Sequence, residues 1–309
     1  MNRVQAESVE LRDAMKGFGT NEAKLIRVLA QVPGPLHMQA LRFTYEDRFR
    51  RNLLKDIESE TSGYFRDGLM AIVRGPLEQD VFLLNKGITG LGTKESLLDD
   101  VLLGRTNADI NAIKTLYPQL YRRDLLSDVR GDLSMKTERL FDFVLAARRA
   151  EESAPVLPQE VDHAVSELHR ATQGTNLGTD QVTVCQILSS RSSGQLRAIN
   201  QAFGQKYRRS LDEVLRSEFS GHMQDALRLM LARAVDPVKS DADQLEESMR
   251  GMGTKDELLV NRVVRCHWDR AHMQQVKNAY RQFYKQDLAS RIRGETRGDY
   301  EKLMVACVG

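Results

Sequence analysis

A two-part pattern occurs four times along this chain, and a fourfold internal repeat restricts the fold more than any single motif does. Its first half is a glycine turn: Met15-Lys16-Gly17-Phe18-Gly19-Thr20, Ile88-Thr89-Gly90-Leu91-Gly92-Thr93, Gln173-Gly174-Thr175-Asn176-Leu177-Gly178-Thr179 and Met249-Arg250-Gly251-Met252-Gly253-Thr254. Its second half is a single distant carboxylate: Glu60, Asp132, Glu218 or Glu295. The threonine-to-acid separations are 40, 39, 39 and 41 residues. A second ruler agrees, since Phe49, Tyr121, Tyr207 and Tyr284 each stand eleven residues before the acid. Successive turns, from Gly19 to Gly92, Gly178 and Gly253, lie 73, 86 and 75 residues apart. That exceeds the roughly 20–50 residues of ordinary solenoid repeats and leaves each unit room for about five short helices around a small core.

The elements between the turns read as helices. Phe65, Leu69, Ile72 and Val73 fall on one helical face, as do Leu140, Phe143, Val144 and Ala147, then Leu227, Met230, Leu231 and Ala234, and the shorter stripe Val81, Leu84, Ile88. No stretch alternates with the period of a strand. The fold class expected is therefore all-α. At 309 residues the chain exceeds the size at which one core stops growing, about 250–300 residues, so it should subdivide. Breaks fall at Gly75-Pro76, at Ala154-Pro155-Val156-Leu157-Pro158 and at Asp236-Pro237. These give four units, 1–77, 78–152, 153–236 and 237–309.

Charge and composition narrow the function. With 45 basic and 43 acidic side chains the net charge is +2, which gives no bulk attraction to nucleic acid, and no nucleic-acid partner is expected. No apolar run approaches 18 residues and the first residues lack a signal-peptide core, so a cytoplasmic, non-spanning protein is expected. Cys185, Cys266 and Cys307 are odd in number and widely spaced, which suits a reducing compartment, with Cys185 read as a small buried hydrophobe.

The repeated pattern carries the chemistry. Its glycines permit positive φ and let backbone carbonyls point outward, while the threonine is expected to cap the next helix, whose first turn carries Glu22, Glu95, Asp180 or Asp256. Carbonyls plus one carboxylate form a hard oxygen set that suits Ca²⁺ better than Mg²⁺. One carboxylate leaves the ion underneutralised and able to take further oxygens from an anionic partner. The residue between the glycines is apolar each time (Phe18, Leu91, Leu177, Met252), which suits a headgroup boundary if exposed and the core of its own unit if folded back.

Other patterns carry less. Gly87 to Lys94 nearly spells a phosphate-binding loop, but lysine and threonine are transposed and no strand precedes it. Cys266, His267 and His272 lack a paired CxxC, so no zinc site is expected. The arginine pairs at 50–51, 122–123 and 208–209 read as solvated helix faces. There is no EF-hand loop and no nucleophile–base pair, and an enzyme is not expected.

On these motifs the chain resembles the annexins over essentially its whole length. The match lies in the K-G-x-G-T turn, as in Lys16-Gly17-Phe18-Gly19-Thr20, and in acid loops such as Ser59-Glu60-Thr61-Ser62-Gly63 and Ser217-Glu218-Phe219-Ser220-Gly221. The resemblance implies four five-helix repeats forming a curved disc, with calcium loops on its convex face that bind acidic phospholipid membranes reversibly and without catalysis. It implies calcium held by the carbonyls of Met15, Gly17 and Gly19 with Glu60, of Ile88, Gly90 and Gly92 with Asp132, and of Met249, Gly251 and Gly253 with Glu295. In the third turn Asn176 stands where the first glycine belongs, with Gly178 and Glu218 retained. Thr89 replaces the usual lysine of the second turn, and Leu133-Ser134-Met135 replaces the usual Thr-Ser-Gly. Two other readings stay open: a calcium-independent scaffold for protein partners, and an ion-conducting assembly in which Asp80 and Arg105 match polar positions of the family's central passage but Leu83 replaces an acid.

Overall fold

The computed structural model describes residues 3–89, 92–173 and 178–309, and among them it contains α-helices and no strand. The first helices are α1 (Arg3–Ala14), α2 (Glu22–Leu29), α3 (Pro35–Phe49), α4 (Leu53–Glu60) and α5 (Gly63–Ile88). Next come α6 (Glu95–Leu102), α7 (Asn107–Tyr121), α8 (Leu125–Asp132) and α9 (Met135–Leu145). The third set is α10 (Pro158–Gln173), α11 (Gln181–Ser190), α12 (Ser193–Tyr207), α13 (Leu211–Glu218) and α14 (Gly221–Val235). The last is α15 (Pro237–Met249), α16 (Asp256–His267), α17 (Arg270–Tyr284), α18 (Leu288–Glu295) and α19 (Gly298–Val308). Within α5 the backbone breaks at Gly75 (φ 74°, ψ 172°), immediately before Pro76, so α5 serves as two helices. Counted so, each of the four sets holds five.

The chain divides into two compact units, Met1–Gln79 with Asp241–Gly309, and Asp80–Ser240. The first and last helix sets therefore share one unit, and the middle two share the other. In the first, Leu11, Leu25, Leu41, Ile57, Leu69, Leu245, Leu259 and Leu303 are fully buried. Gly68 lies so close to α19 that a Cβ there would sit 2.8 Å from Leu303 Cδ2, which fixes a small residue at that approach. In the second unit Leu84, Leu98, Leu140, Phe141, Val165, Leu168 and Leu227 are fully buried.

Most helical stripes fall where the spacing puts them, but the one in α9 is shifted. Phe143 and Val144 are only half-buried, and Ala147 lies beyond the helix with φ 52°. The buried face is Thr137, Leu140, Phe141 and Leu145. Two neighbouring stripes of an eleven-residue helix are equally apolar, and only the packing partner selects one.

Chain reversal after the third helix of each set uses one device. Arg50, Arg122, Arg208 and Lys285 are the left-handed C-caps of α3, α7, α12 and α17, with φ between 52° and 57°. Such a conformation costs a non-glycine residue about 1 kcal/mol, which neighbouring interactions must offset. In the first two sets the adjacent residue does so: Arg51 and Arg123 bind Asp56 and Asp128 at 2.6 and 2.8 Å. The arginine pairs are thus turn devices rather than simple solvated faces.

All three cysteines are buried, and burial pushes the thiols of Cys185 and Cys307 up to about 12. His267 and His272 diverge. His267 Nδ1 lies 3.0 Å from the Cys307 carbonyl oxygen, and burial holds its imidazole below the usual range. His272 Nε2 instead lies 2.7 Å from Asp241, whose other oxygen takes Arg265 at 2.6 Å. Asp241, Cys266 and His272 come within 4.8 Å of one another, but the carboxylate is already shared by two cationic groups joining α15, α16 and α17. The hydrogen bond that the His272 ring donates to Asp241 raises the His272 pKa, so its stabilisation is complete below the ordinary imidazole value of 6.5 and fades as pH rises through the raised one. His272→Gln should therefore cost about 1 kcal/mol near pH 6 and clearly less near pH 8.5, measured by urea denaturation at both pH values.

Candidate functional site: four turns tied to four distant acids

Each turn follows the first helix of its set and is closed by the same backbone bond. Asn21 N donates to Ala14 O at 2.8 Å, Lys94 N to Gly87 O at 3.0 Å, and Lys255 N to Ser248 O at 2.8 Å. In the third turn Asp180 N donates to Ala171 O at 2.9 Å. The first, second and fourth closures span seven residues and the third spans nine, so the third turn carries two extra residues before Gly178. Its counterpart to Gly17 is therefore not fixed by counting back to Asn176, which lies outside the described residues, as do Gly90, Leu91 and Leu177. The remaining turn glycines need their identity for conformation, not for space. Gly17 and Gly19 have φ of 102° and 83°, Gly251 and Gly253 of 99° and 92°, and a Cβ at any of them would meet nothing within 4 Å.

The turn threonine does not cap the following helix. Asn21, Lys94, Asp180 and Lys255 hold that position, with Asn21 Oδ1 and Asp180 Oδ1 accepting from Lys24 N and Thr183 N. The threonine hydroxyl reaches across the fold to the acid instead. Thr20 Oγ1 donates to Glu60 at 3.1 Å, Thr179 Oγ1 to the Glu218 carboxylate at 3.0 Å, and Thr254 Oγ1 to the Glu295 carboxylate at 2.8 Å. Thr93 Oγ1 donates to the Asp132 backbone carbonyl at 2.8 Å, which leaves that carboxylate unengaged by the tie. The constant separation of threonine and acid in the sequence was the signal for this bond.

Electrostatics make the four acids unusual. Glu60, Asp132, Glu218 and Glu295 are each the last residue of a short helix, α4, α8, α13 or α18. A carboxylate there faces the negative end of the helix dipole, which favours a cation beside it. Among the described residues, Asp132 Oδ2 is buried with no hydrogen-bond partner, an arrangement that a bound cation would satisfy. Met15, Ile88 and Met249, which open three of the turns, have buried side chains that anchor the turns in the core. At the fourth turn one donor links two of the sequence-predicted ligands: Arg291 Nη2 lies 2.5 Å from the Met249 carbonyl, and Nη1 bonds the Glu295 carboxylate. The Thr254 hydroxyl and then Arg291 hold the Glu295 carboxyl below its usual range. The donor set of carbonyls and carboxylates therefore fits a hard divalent cation such as Ca²⁺.

The turn tips resolve the choice between exposed and folded back where they are described. Phe18 and Met252 are fully exposed, flanked by exposed Lys16 and Arg250. Gly87 by contrast lies within α5, and a Cβ there would sit 2.6 Å from Leu98 Cδ1, so it serves helix packing rather than a phosphate loop. Thr254→Val, which keeps shape and removes the hydroxyl, should lower stability by about 1–2 kcal/mol in chelator, read by urea denaturation, while Thr254→Ser should recover most of it.

A family model described as Annexin matches residues 5–72, 79–141, 163–230 and 240–307. Annexin C1 of Cryptococcus neoformans var. grubii is 43% identical over 310 residues, which is 99% of this chain and 65% of that protein. Annexin A7 of Homo sapiens is 34% identical over 97% of this chain and 60% of its own length. The chain thus spans less than two thirds of both relatives. The solved structure of chicken annexin V superposes with a TM-score of 0.88 at 27% identity, covering all of this chain and 96% of that one.

Proposed function

The chain belongs to the annexin family, and from that membership and the four tied turns we propose that it docks reversibly on acidic phospholipid membranes through bound Ca²⁺. The family is known for calcium-dependent phospholipid binding. The observation that carries the reading here is the pairing of each glycine turn with a helix-terminal carboxylate, above all the orphaned Asp132 oxygen.

In this reading calcium is held by the carbonyls of Met15, Gly17 and Gly19 with Glu60, and of Ile88, Gly90 and Gly92 with Asp132. The third site uses Asn176 and Gly178 with Glu218, and the fourth Met249, Gly251 and Gly253 with Glu295. Three carbonyls and a bidentate carboxylate supply about five oxygens, whereas Ca²⁺ takes about six to eight. Water or a lipid phosphate completes the sphere. Phe18 and Met252 would enter the headgroup boundary beside it, with Lys16 and Arg250 meeting phosphates. Several weak sites engaged at once raise the affinity by orders of magnitude through effective concentration. The same proposal takes 1–77, 78–152, 153–236 and 237–309 as the repeats, and a cytoplasmic protein that becomes membrane-peripheral when calcium rises. Among the described residues no helix is long and apolar enough to cross a membrane.

The protein should co-sediment with phosphatidylserine vesicles in calcium and be released by a chelator, and binding indifferent to chelation would favour the scaffold reading instead. Glu60→Gln with Asp132→Asn should raise the calcium needed for half-maximal vesicle binding about tenfold or more while leaving the circular dichroism spectrum unchanged. Phe18→Ser with Met252→Ser should weaken vesicle binding at saturating calcium, with calcium titration in the absence of lipid unaffected.

A further inference from the structure

The position four residues before each acid differs among the four repeats. It is Asp56, Asp128, Val214 and Arg291 in chain order. In the first two repeats that aspartate takes the hydroxyl of a tyrosine eleven residues earlier, Tyr45 at 2.6 Å and Tyr117 at 2.8 Å. In the third the corresponding pair is apolar, Phe203 and Val214, and both are buried. The fourth repeat keeps the tyrosine, Tyr280, but its hydroxyl bonds Glu246 on α15.

The first and fourth repeats are related by an exchange of charge. Seven residues before the second turn glycine stands Arg12 in the first repeat and Glu246 in the fourth. Arg12 lies 3.8 Å from Asp56, and Arg291 Nε lies 3.5 Å from Glu246. The cation thus sits on the helix before the turn in one case and on the acid-bearing helix in the other. Placed on α18, one helical turn before Glu295, a guanidinium can reach the acid, and its fork reaches the turn as well. Nη1 bonds the Glu295 carboxylate and Nη2 lies 2.5 Å from the Met249 carbonyl. In the first repeat the equivalent aspartate is occupied by Arg51, Arg12 and Tyr45, and no basic side chain is bonded to Glu60 among the described contacts.

We propose that Arg291 is a built-in occupant of the fourth cation site, so that calcium there must displace a guanidinium with no counterpart among the described contacts of the other three acids. The inference rests on the calcium-site reading above. One guanidinium satisfies two of the ligands that the ion would need, and its charge neutralises the carboxylate in the empty state. Glu246 offers the displaced side chain a second partner, already 3.5 Å away and accepting from Tyr280. The fourth turn therefore fills last as calcium rises. Its exposed Met252 tip engages after the Phe18 tip of the first turn.

The test uses the full chain carrying Glu60→Gln, Asp132→Asn and Glu218→Gln, which leaves the fourth site alone. Calcium affinity is read by calorimetric titration. Adding Arg291→Met should tighten binding roughly ten- to a hundredfold, the size expected from removing two charge-assisted hydrogen bonds that compete with the ion. Adding Glu295→Gln should abolish the binding and so assign it to this site. Arg291→Lys, whose single ammonium cannot fork across both oxygens, should give an intermediate affinity, and it serves if the methionine variant folds poorly. In chelator Arg291→Met should melt at a lower temperature than its parent, a deficit that saturating calcium closes. Equal affinity with and without the arginine would overturn the occupant role while leaving the calcium sites standing. No calcium binding by the unaltered chain would overturn the proposed function and this inference together.

Discussion

The hydroxyl of one threonine per repeat holds the rest of the arrangement together. A glycine turn is conformationally expensive to order and its glycines gain little from packing, since the space around Gly17, Gly19, Gly251 and Gly253 is open. Its partner acid is supplied by a helix two elements further along the chain: α2 and α3 precede α4, as α16 and α17 precede α18. Thr20, Thr179 and Thr254 bond the carboxylates themselves, and Thr93 the adjoining carbonyl. The turn thereby inherits its position from the core beneath it. Order at the first turn is a by-product of burying Leu25, Leu41 and Ile57.

Within that shared frame the electrostatics diverge. The carboxylate of Asp132 has an orphaned oxygen, Glu218 also receives the Ser217 hydroxyl at 3.3 Å, and Glu295 is bonded to a guanidinium. Four turns with the same backbone plan thus hold their acids in different electrostatic surroundings. On the proposed calcium reading, sites that differ in this way would spread the response over a range of calcium concentration. The third turn differs in a further way, since its closing bond spans two more residues than the others.

Much of the fold was legible because the signals were redundant. Helical spacing, proline and glycine breaks, and the eleven-residue distance from aromatic to acid all recur, and they place the helices and their fivefold grouping. The errors have a common origin in geometry that spacing does not encode. The stripe of α9 is shifted because a short helix offers two adjacent apolar faces, and Leu140, Phe141 and Leu145 meet the core where Phe143 and Val144 do not. Local propensity favours threonine as the cap of its own helix, but Asn21 and Asp180 perform that role and free the hydroxyl for a partner some 40 residues away. His267 and His272, five residues apart, bond to different helices.

The sequence alone determined that there are four turns, which acid belongs to each, and that the pairing recurs in register. Those facts follow from residue identity and separation, which a repeat displays in full. The tertiary structure decided what each acid touches. The residue four before it is an aspartate, a valine or an arginine by sequence, but the helices packed alongside decide what it touches: Tyr45 and Tyr117 for the two aspartates, the Glu295 carboxylate and Met249 carbonyl for the arginine. Glu246 and Met249 on α15 are distant from Arg291 in sequence and adjacent only because α15 and α18 fold together. Charge acts through space, and the chain order does not record that distance.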